Sequence, residues 1–139
     1  MSQALQALPH RHVLTLPAVP TAVRVARQTA EEALVEWGIG LRHRVVDPAL
    51  LILSELVTNS VRHAAQVSPE VTVIYAAARD CFAFAVHDRH PHQPQLLTAF
   101  TRPGGLATVM ELVLGLGGTA VVRADADGAG KSIWITLPL

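Results

Sequence analysis

The hydrophobic positions of this chain recur at two different periods, which predict three helices and five strands. Helical spacing of apolar residues predicts helices at 21–37, 48–65 and 106–116. Short apolar runs rich in β-branched and aromatic residues predict strands at 12–16, 71–75, 81–87, 119–123 and 133–137. Between the third strand and the third helix, residues 88–105 are rich in proline, and they predict a long loop of the kind that is often functional.

Residues with special backbone or capping properties mark the ends of these elements. Thr21 is the expected N-cap of the first helix, and Gly38 and Gly40 end that helix. Pro48 is expected as the first residue of the second helix. Asp125 to Gly128 should turn the last hairpin. The order strand, helix, helix, strand, strand, helix, strand, strand predicts an α/β, two-layer (α+β) domain with the helices gathered together.

Composition narrows the class of protein. At 139 residues the chain is long enough for one core, so we expect a flexible N-terminus at 1–11 and one domain at 12–139. Eleven basic residues balance eleven acidic ones, so the chain has no net positive charge that would favour binding to nucleic acid or to an anionic membrane. Cys81 excludes an internal disulfide and is expected to be an inert thiol. With neither a leader pattern nor an apolar run long enough to span a bilayer, we expect a cytoplasmic protein.

The second predicted helix carries the polar residues with the clearest chemical potential. Glu55, Asn59, Arg62 and His63 fall on one face of it, opposite apolar residues. An ordinary amphipathic helix with a solvated side would show the same spacing. A carboxylate one turn before a carboxamide also offers a base and a neutral oxygen ligand for Mg²⁺.

Two further features follow along the chain. Asp88 ends a strand and opens the long loop, where a carboxylate can accept a hydrogen bond from an exocyclic amine or simply cap a turn. Gly104, Gly105 and Leu106 lead directly into a helix, whose N-terminal amides suit a phosphate, although glycine pairs also occur in plain loops.

In this order the three features resemble a known family. The run from Glu55 to Ala64 is similar to the N box of the GHKL ATPases, the gyrase, Hsp90, histidine kinase and MutL type. It looks closest to the small anti-sigma factor serine kinases of the RsbW and SpoIIAB type and their actinobacterial relatives. The resemblance extends from the strand at Leu14–Pro17 to Trp134. It implies a Bergerat-type ATP-binding fold, a histidine kinase-like domain with a mixed, mostly antiparallel sheet covered on one face by helices.

The resemblance also implies a role for each matching residue. Glu55 corresponds to the catalytic carboxylate and Asn59 to the Mg²⁺ ligand. Asp88 corresponds to the carboxylate that recognises the adenine amino group. The remaining expected contacts of the nucleotide pocket and its lid are His63, Pro94, Gly104, Gly105 and Leu106.

The implied function is that of an ATP- and Mg-dependent serine/threonine protein kinase. It would phosphorylate a small anti-sigma factor antagonist, sequester a sigma factor, form a homodimer and contact neither nucleic acid nor membrane directly. The glycine boxes depart from the pattern, because His90 and His92 replace two glycines and Pro103 replaces another. A non-catalytic GHKL-fold binding module and an ATP-sensing regulator without phosphoryl transfer therefore stay open.

Two alternative sites can be weighed on the residues. Gly128 to Ser132 resembles the end of a Walker A loop, but Asp125 stands where that motif needs glycine and a strand pattern follows. A metal site formed by His87, Asp88, His90 and His92 would lack the fixed ligand frame that zinc uses, so loop histidines exposed to solvent are the default.

Overall fold

The order of elements is the one that the sequence predicts. The computed structural model describes residues 8–64, 67–90 and 105–139, with only the backbone of residues 64 and 105. The elements are β1 (His10–Pro17), α1 (Ala22–Glu36), α2 (Val46–Ala64), β2 (Glu70–Ala78), β3 (Cys81–Asp88), α3 (Gly105–Gly115), β4 (Thr119–Ala124) and β5 (Lys131–Pro138). The strands are longer than predicted because their pairing continues into residues that flank the apolar runs, such as His10 and Arg11 in β1 and Lys131 in β5.

The five strands form a single sheet in the order β1-β2-β3-β5-β4. Every described pair is antiparallel, so the expectation of a mixed sheet is replaced by a wholly antiparallel one. In this order β3 and β5 are neighbours near the centre of the sheet. They are distant in the sequence, since 42 residues lie between Asp88 and Lys131. Their register pairs Asp88 with Lys131, at the end of β3 and the beginning of β5.

The core lies between one face of the sheet and the helices. Alternate residues of the three central strands point into it, as the two-residue period of a strand requires. They are Val71, Val73, Tyr75, Ala77, Phe82, Phe84, Val86, Ile133, Ile135 and Leu137. Helix α2 packs on them with Ile52, Leu53, Leu56 and Val57, each at most 1% exposed. Because Asp88 and Lys131 follow the same alternation, both stand on the helix-facing side.

Two predicted helix starts differ in detail. Thr21 stands at the N-cap of α1, but its side chain makes no capping hydrogen bond. Its φ of −66° and ψ of −16° are helical, whereas a capping side chain needs an extended backbone. Helix α2 begins at Val46, so Pro48 is its third residue. Proline is tolerated there because the amides of the first turn have no partner within the helix.

The last hairpin turns where the sequence places it. Gly128 adopts a φ of +71°, and its amide donates to the carbonyl of Asp125 at 2.9 Å. Strand β5 begins at Lys131, inside the Walker-like run, so the strand predicted there in place of the helix of a phosphate loop is confirmed. Among the described helices, none is both long and apolar enough to cross a bilayer.

Candidate functional site

Asp88 lies at the centre of a buried polar cluster. Asp88 is 4% exposed, and its carboxylate accepts hydrogen bonds from three donors. Ser60 of α2 donates its hydroxyl to Oδ2 at 2.7 Å, while the His90 amide donates to Oδ1 at 3.0 Å. The Lys131 ammonium donates to Oδ1 at 2.7 Å. We call Asp88, Ser60, Lys131 and the His90 backbone the Asp88 cluster; it joins α2, β3 and β5.

Lys131 forms a buried ion pair with Asp88. The two side chains are only 12% and 5% exposed, so water screens their attraction weakly. A second, longer contact runs from Nζ to the His90 carbonyl at 3.4 Å. The positive charge therefore neutralises the carboxylate at the point where the chain leaves β3.

A second group of charges holds the β4–β5 turn against the end of β3. Asp125 accepts hydrogen bonds from His87 Nε2 at 2.9 Å and from Arg89 Nη1 at 2.8 Å. Arg89 also donates to Asp127 at 2.8 Å, and this hydrogen bond lowers the pKa of the Asp127 carboxyl. We call His87, Arg89, Asp125 and Asp127 the turn cluster. It fixes the turn from which Lys131 enters β5.

Gly130 allows this turn to approach β3 closely. A Cβ at this position would lie 2.7 Å from the carbonyl oxygen of Asp88 and 3.1 Å from the Cα of Arg89. Both neighbours are backbone atoms, which cannot rotate away as a side chain can. The absence of a side chain at Gly130 therefore brings Lys131 within reach of Asp88.

Helix α2 carries the residues that the resemblance assigns to catalysis and Mg²⁺. Glu55 and Asn59 are half-buried one turn apart, and Asn59 immediately precedes Ser60. Because Ser60 is bonded to Asp88, this part of α2 is held beside the end of β3. Arg62 and His63 are exposed in the last turn.

The remaining predicted site residues belong to the loop and to α3. Gly105 is the first residue of α3, and Leu106 is half-buried against the core. Pro94 and Gly104 lie outside the described residues, as do His92 and Pro103. Their expected places in the pocket stay predictions.

The polar side chains of this region suit a nucleotide together with a magnesium ion that the nucleotide's phosphates would mainly coordinate. In residues 8–64, 67–90 and 105–139, no three His, Cys, Asp or Glu side chains converge to hold a metal. Mg²⁺ is commonly bound through one or two protein oxygens, with phosphates and water completing its shell. The Asn59 amide oxygen would be the protein ligand in a site of that kind, with Glu55 one turn before it as the base. Asp88 keeps accepting capacity, since a carboxylate has about four lone-pair positions and three donors reach it.

Two members of the Asp88 cluster were missed in the sequence. Ser60 lies inside the N-box run at a position to which the resemblance assigns no role, and Lys131 lies in the Walker-like run. Two signals were present: Lys131 is the only lysine of the chain, and Ser60 is a polar residue beside Val61 and Val57. Neither signal indicates that the partner is Asp88, because Asp88 lies 28 residues from Ser60 and 43 residues from Lys131 in the sequence.

The fold is similar to those of solved histidine kinases. A histidine kinase domain of the blue-light activated histidine kinase from Erythrobacter litoralis matches with a TM-score of 0.53 and 24% identity, over 68% of this chain. The chain spans only 44% of that domain. The Acinetobacter baumannii histidine kinase AdeS matches with a TM-score of 0.54 and 14% identity, over 91% of this chain and 67% of its own. None of the curated proteins matches this sequence.

The sequence itself defines the family. The family model described as histidine kinase-like ATPase domain matches residues 16–135, which is nearly the whole chain. The matched segment contains α2, the Asp88 cluster and α3. The chain therefore belongs to the histidine kinase-like ATPase (GHKL) domain family.

Proposed function

We propose that this protein binds ATP with Mg²⁺ and acts as a serine/threonine protein kinase of the anti-sigma factor switch class. It would phosphorylate a small antagonist protein, hold a sigma factor when the antagonist is absent, and act as a homodimer. The observation that carries the ATP site is the 2.7 Å hydrogen bond from Ser60 to Asp88. It joins the helix of Glu55 and Asn59 to the carboxylate that would receive adenine.

The chain's own groups suit the separate tasks of such a site. Bound ATP with Mg²⁺ would supply the transferable phosphoryl group. Asp88, buried and held by three donors, would fix the position of the base without moving. Glu55, half-buried one turn before Asn59, would orient the attacking hydroxyl and receive its proton. Asn59 would offer its amide oxygen to the metal.

The ATP site is tested by calorimetric titration with ADP and a non-hydrolysable ATP analogue, with and without Mg²⁺. We expect Mg²⁺-dependent binding in the parent protein and its loss in Asn59→Ala and Asp88→Asn. Gln28→Ala is the matched control for removing a carboxamide, because Gln28 is exposed on α1. Absence of binding at millimolar nucleotide in a folded protein would refute the proposal.

The kinase activity needs its own test. Purified protein is incubated with radiolabelled ATP and a small antagonist protein encoded beside its gene, and phosphoserine or phosphothreonine on that protein is measured. Glu55→Gln should bind nucleotide as the parent does and lose transfer by about 10²-fold or more, the range for general acid–base groups. Glu31→Gln, on α1, is the control. Binding without any transfer would instead favour the ATP-sensing regulator.

A further inference from the structure

Helix α1 carries its charges in the order opposite to the one that stabilises a helix. Its first half contains Arg24 and Arg27, and its last half contains Glu31, Glu32 and Glu36. The helix macrodipole favours acidic residues near the N-terminus and basic residues near the C-terminus. An arginine four residues before a glutamate, as in Arg27 and Glu31, is also the weaker order for an ion pair along one helix. The stability of α1 by itself therefore does not account for this pattern.

The domain leaves these charges unpaired. In the described part of the chain, none of Arg24, Arg27 and Glu31 takes part in an ion pair or a side-chain hydrogen bond. Both arginines are exposed, and Glu31 is half-buried. Val35 follows one turn after Glu31 and is 58% exposed. This side of α1 thus presents both signs of charge and an apolar residue to solvent.

The exposed side of α1 is complementary to itself when a second copy runs antiparallel to it. Six residues, spaced three or four apart, lie on one stripe of the helix surface, opposite its buried alanines. They are Pro20, Arg24, Arg27, Gln28, Glu31 and Val35. With the centre of the pair between Arg27 and Gln28, the stripe reads the same from both ends. Arg24 then faces the partner's Glu31, Arg27 faces the partner's Gln28, and Val35 faces the partner's Pro20.

We propose that this stripe of α1 is the contact between two copies of the chain, with the two helices antiparallel across a twofold axis. The inference rests on the homodimer of the proposed function and names its interface. A twofold contact uses the same patch on both subunits, so the Arg24–Glu31 pair forms twice. Each Val35 is covered by the partner's Pro20. All stripe residues except Val35 also line a shallow groove of about 400 Å³, which gives the facing side chains room to interdigitate.

The size of the stripe sets the strength of this contact. A helix of 15 residues is about 22 Å long and about 10 Å wide. One pair of such helices buries less than the roughly 800 Å² per partner of a standard interface. We therefore expect a reversible dimer with a Kd of about 1–100 µM. Salt should weaken it, because the ion pairs lie at the surface.

The test is analytical ultracentrifugation over about 1–300 µM protein, a range that spans the expected Kd. Arg24→Glu and Glu31→Arg each place like charges opposite one another at both ends of the contact, so each alone should raise the Kd by about tenfold or more. An equimolar mixture of the two variants should form mixed dimers with a Kd near that of the parent, because both facing pairs are then of opposite charge. Arg79→Glu, at an exposed position of the β2–β3 turn, makes the same change in net charge as Arg24→Glu and should leave the Kd unchanged.

The outcomes separate this inference from the proposals on which it rests. Circular dichroism identifies any variant that fails to fold, and the mixture compares two variants that differ only in charge. A mixture that stays monomeric, or an equal effect of Arg79→Glu, overturns the α1 contact and leaves a homodimer through another surface. A parent protein that is monomeric up to about 300 µM overturns the contact and the homodimer together. A dimeric parent that binds no ADP refutes the nucleotide site and leaves the α1 contact standing.

Discussion

Removal of the Asp88 carboxylate should destabilise the fold more than removal of its cation. Asp88→Ala removes the acceptor of three hydrogen bonds, which the buried Ser60 hydroxyl and the partly buried His90 amide and Lys131 ammonium donate. Lys131→Met leaves a carboxylate that still accepts from the other two groups. We therefore expect a loss of about 3–5 kcal/mol in the free energy of unfolding for Asp88→Ala, the cost of breaking a buried ion pair on one side. For Lys131→Met we expect about 1.5–3 kcal/mol, the value of one charged hydrogen bond.

These losses convert to shifts in Tm through the entropy of unfolding. At about 2.1 cal/mol/K per residue, a chain of 139 residues has an unfolding entropy of about 0.29 kcal/mol/K. Asp88→Ala should then lower Tm by about 10–17 °C and Lys131→Met by about 5–10 °C. The double variant should lose less than the sum of the two, because each single change leaves the partner buried and unpaired.

The assay is urea and thermal unfolding without nucleotide, followed by the fluorescence of the two tryptophans. Asp80→Ala, which removes an exposed carboxylate from the β2–β3 turn, should change stability by less than about 0.5 kcal/mol. The reasoning is refuted if Lys131→Met is as destabilising as Asp88→Ala, or if the two losses simply add. Additive losses would mean that the ammonium and the carboxylate do not interact in solution. Equal losses would mean that the Ser60 hydroxyl and the His90 amide do not compensate the carboxylate for the loss of its cation.

Two further changes test the core and the turn. Tyr75 is buried and donates to the Ala26 carbonyl at 2.7 Å, and burial raises its pKa above the ordinary value of 10. The folded state therefore holds its proton where the unfolded state has lost it, so stability should fall as pH rises above 10. Absorbance titration of this single tyrosine and a flatter alkaline profile in Tyr75→Phe would support that sign. Gly130→Ala should lose about 1–3 kcal/mol in urea unfolding because its methyl group would meet β3 backbone. Gly40→Ala, with open space around it, should lose nothing; equal effects of the two would contradict the close approach.

Much of the fold was predictable because its signals are local. The helical spacing of Leu53 and Val57 and the alternation of Phe82 and Phe84 define a core-facing side without reference to any distant residue. The starts of helices were less predictable. Thr21 has a capping side chain, but it lies inside the turn that the Ala22 amide closes on the Val19 carbonyl, and its helical backbone conformation does not allow it to cap.

The sequence by itself determined the elements, their order, the N-box helix and Asp88 as a residue of interest. Only the tertiary structure decided what surrounds Asp88. Placing β5 beside β3 brings Lys131 to the carboxylate from 43 residues away, and packing α2 on the sheet brings Ser60 from 28 residues away. Periodicity reports which side of an element is buried, since that depends on neighbours along the chain. It does not show that strands distant in sequence, such as β3 and β5, pair with each other, because that depends on the packing of the whole domain.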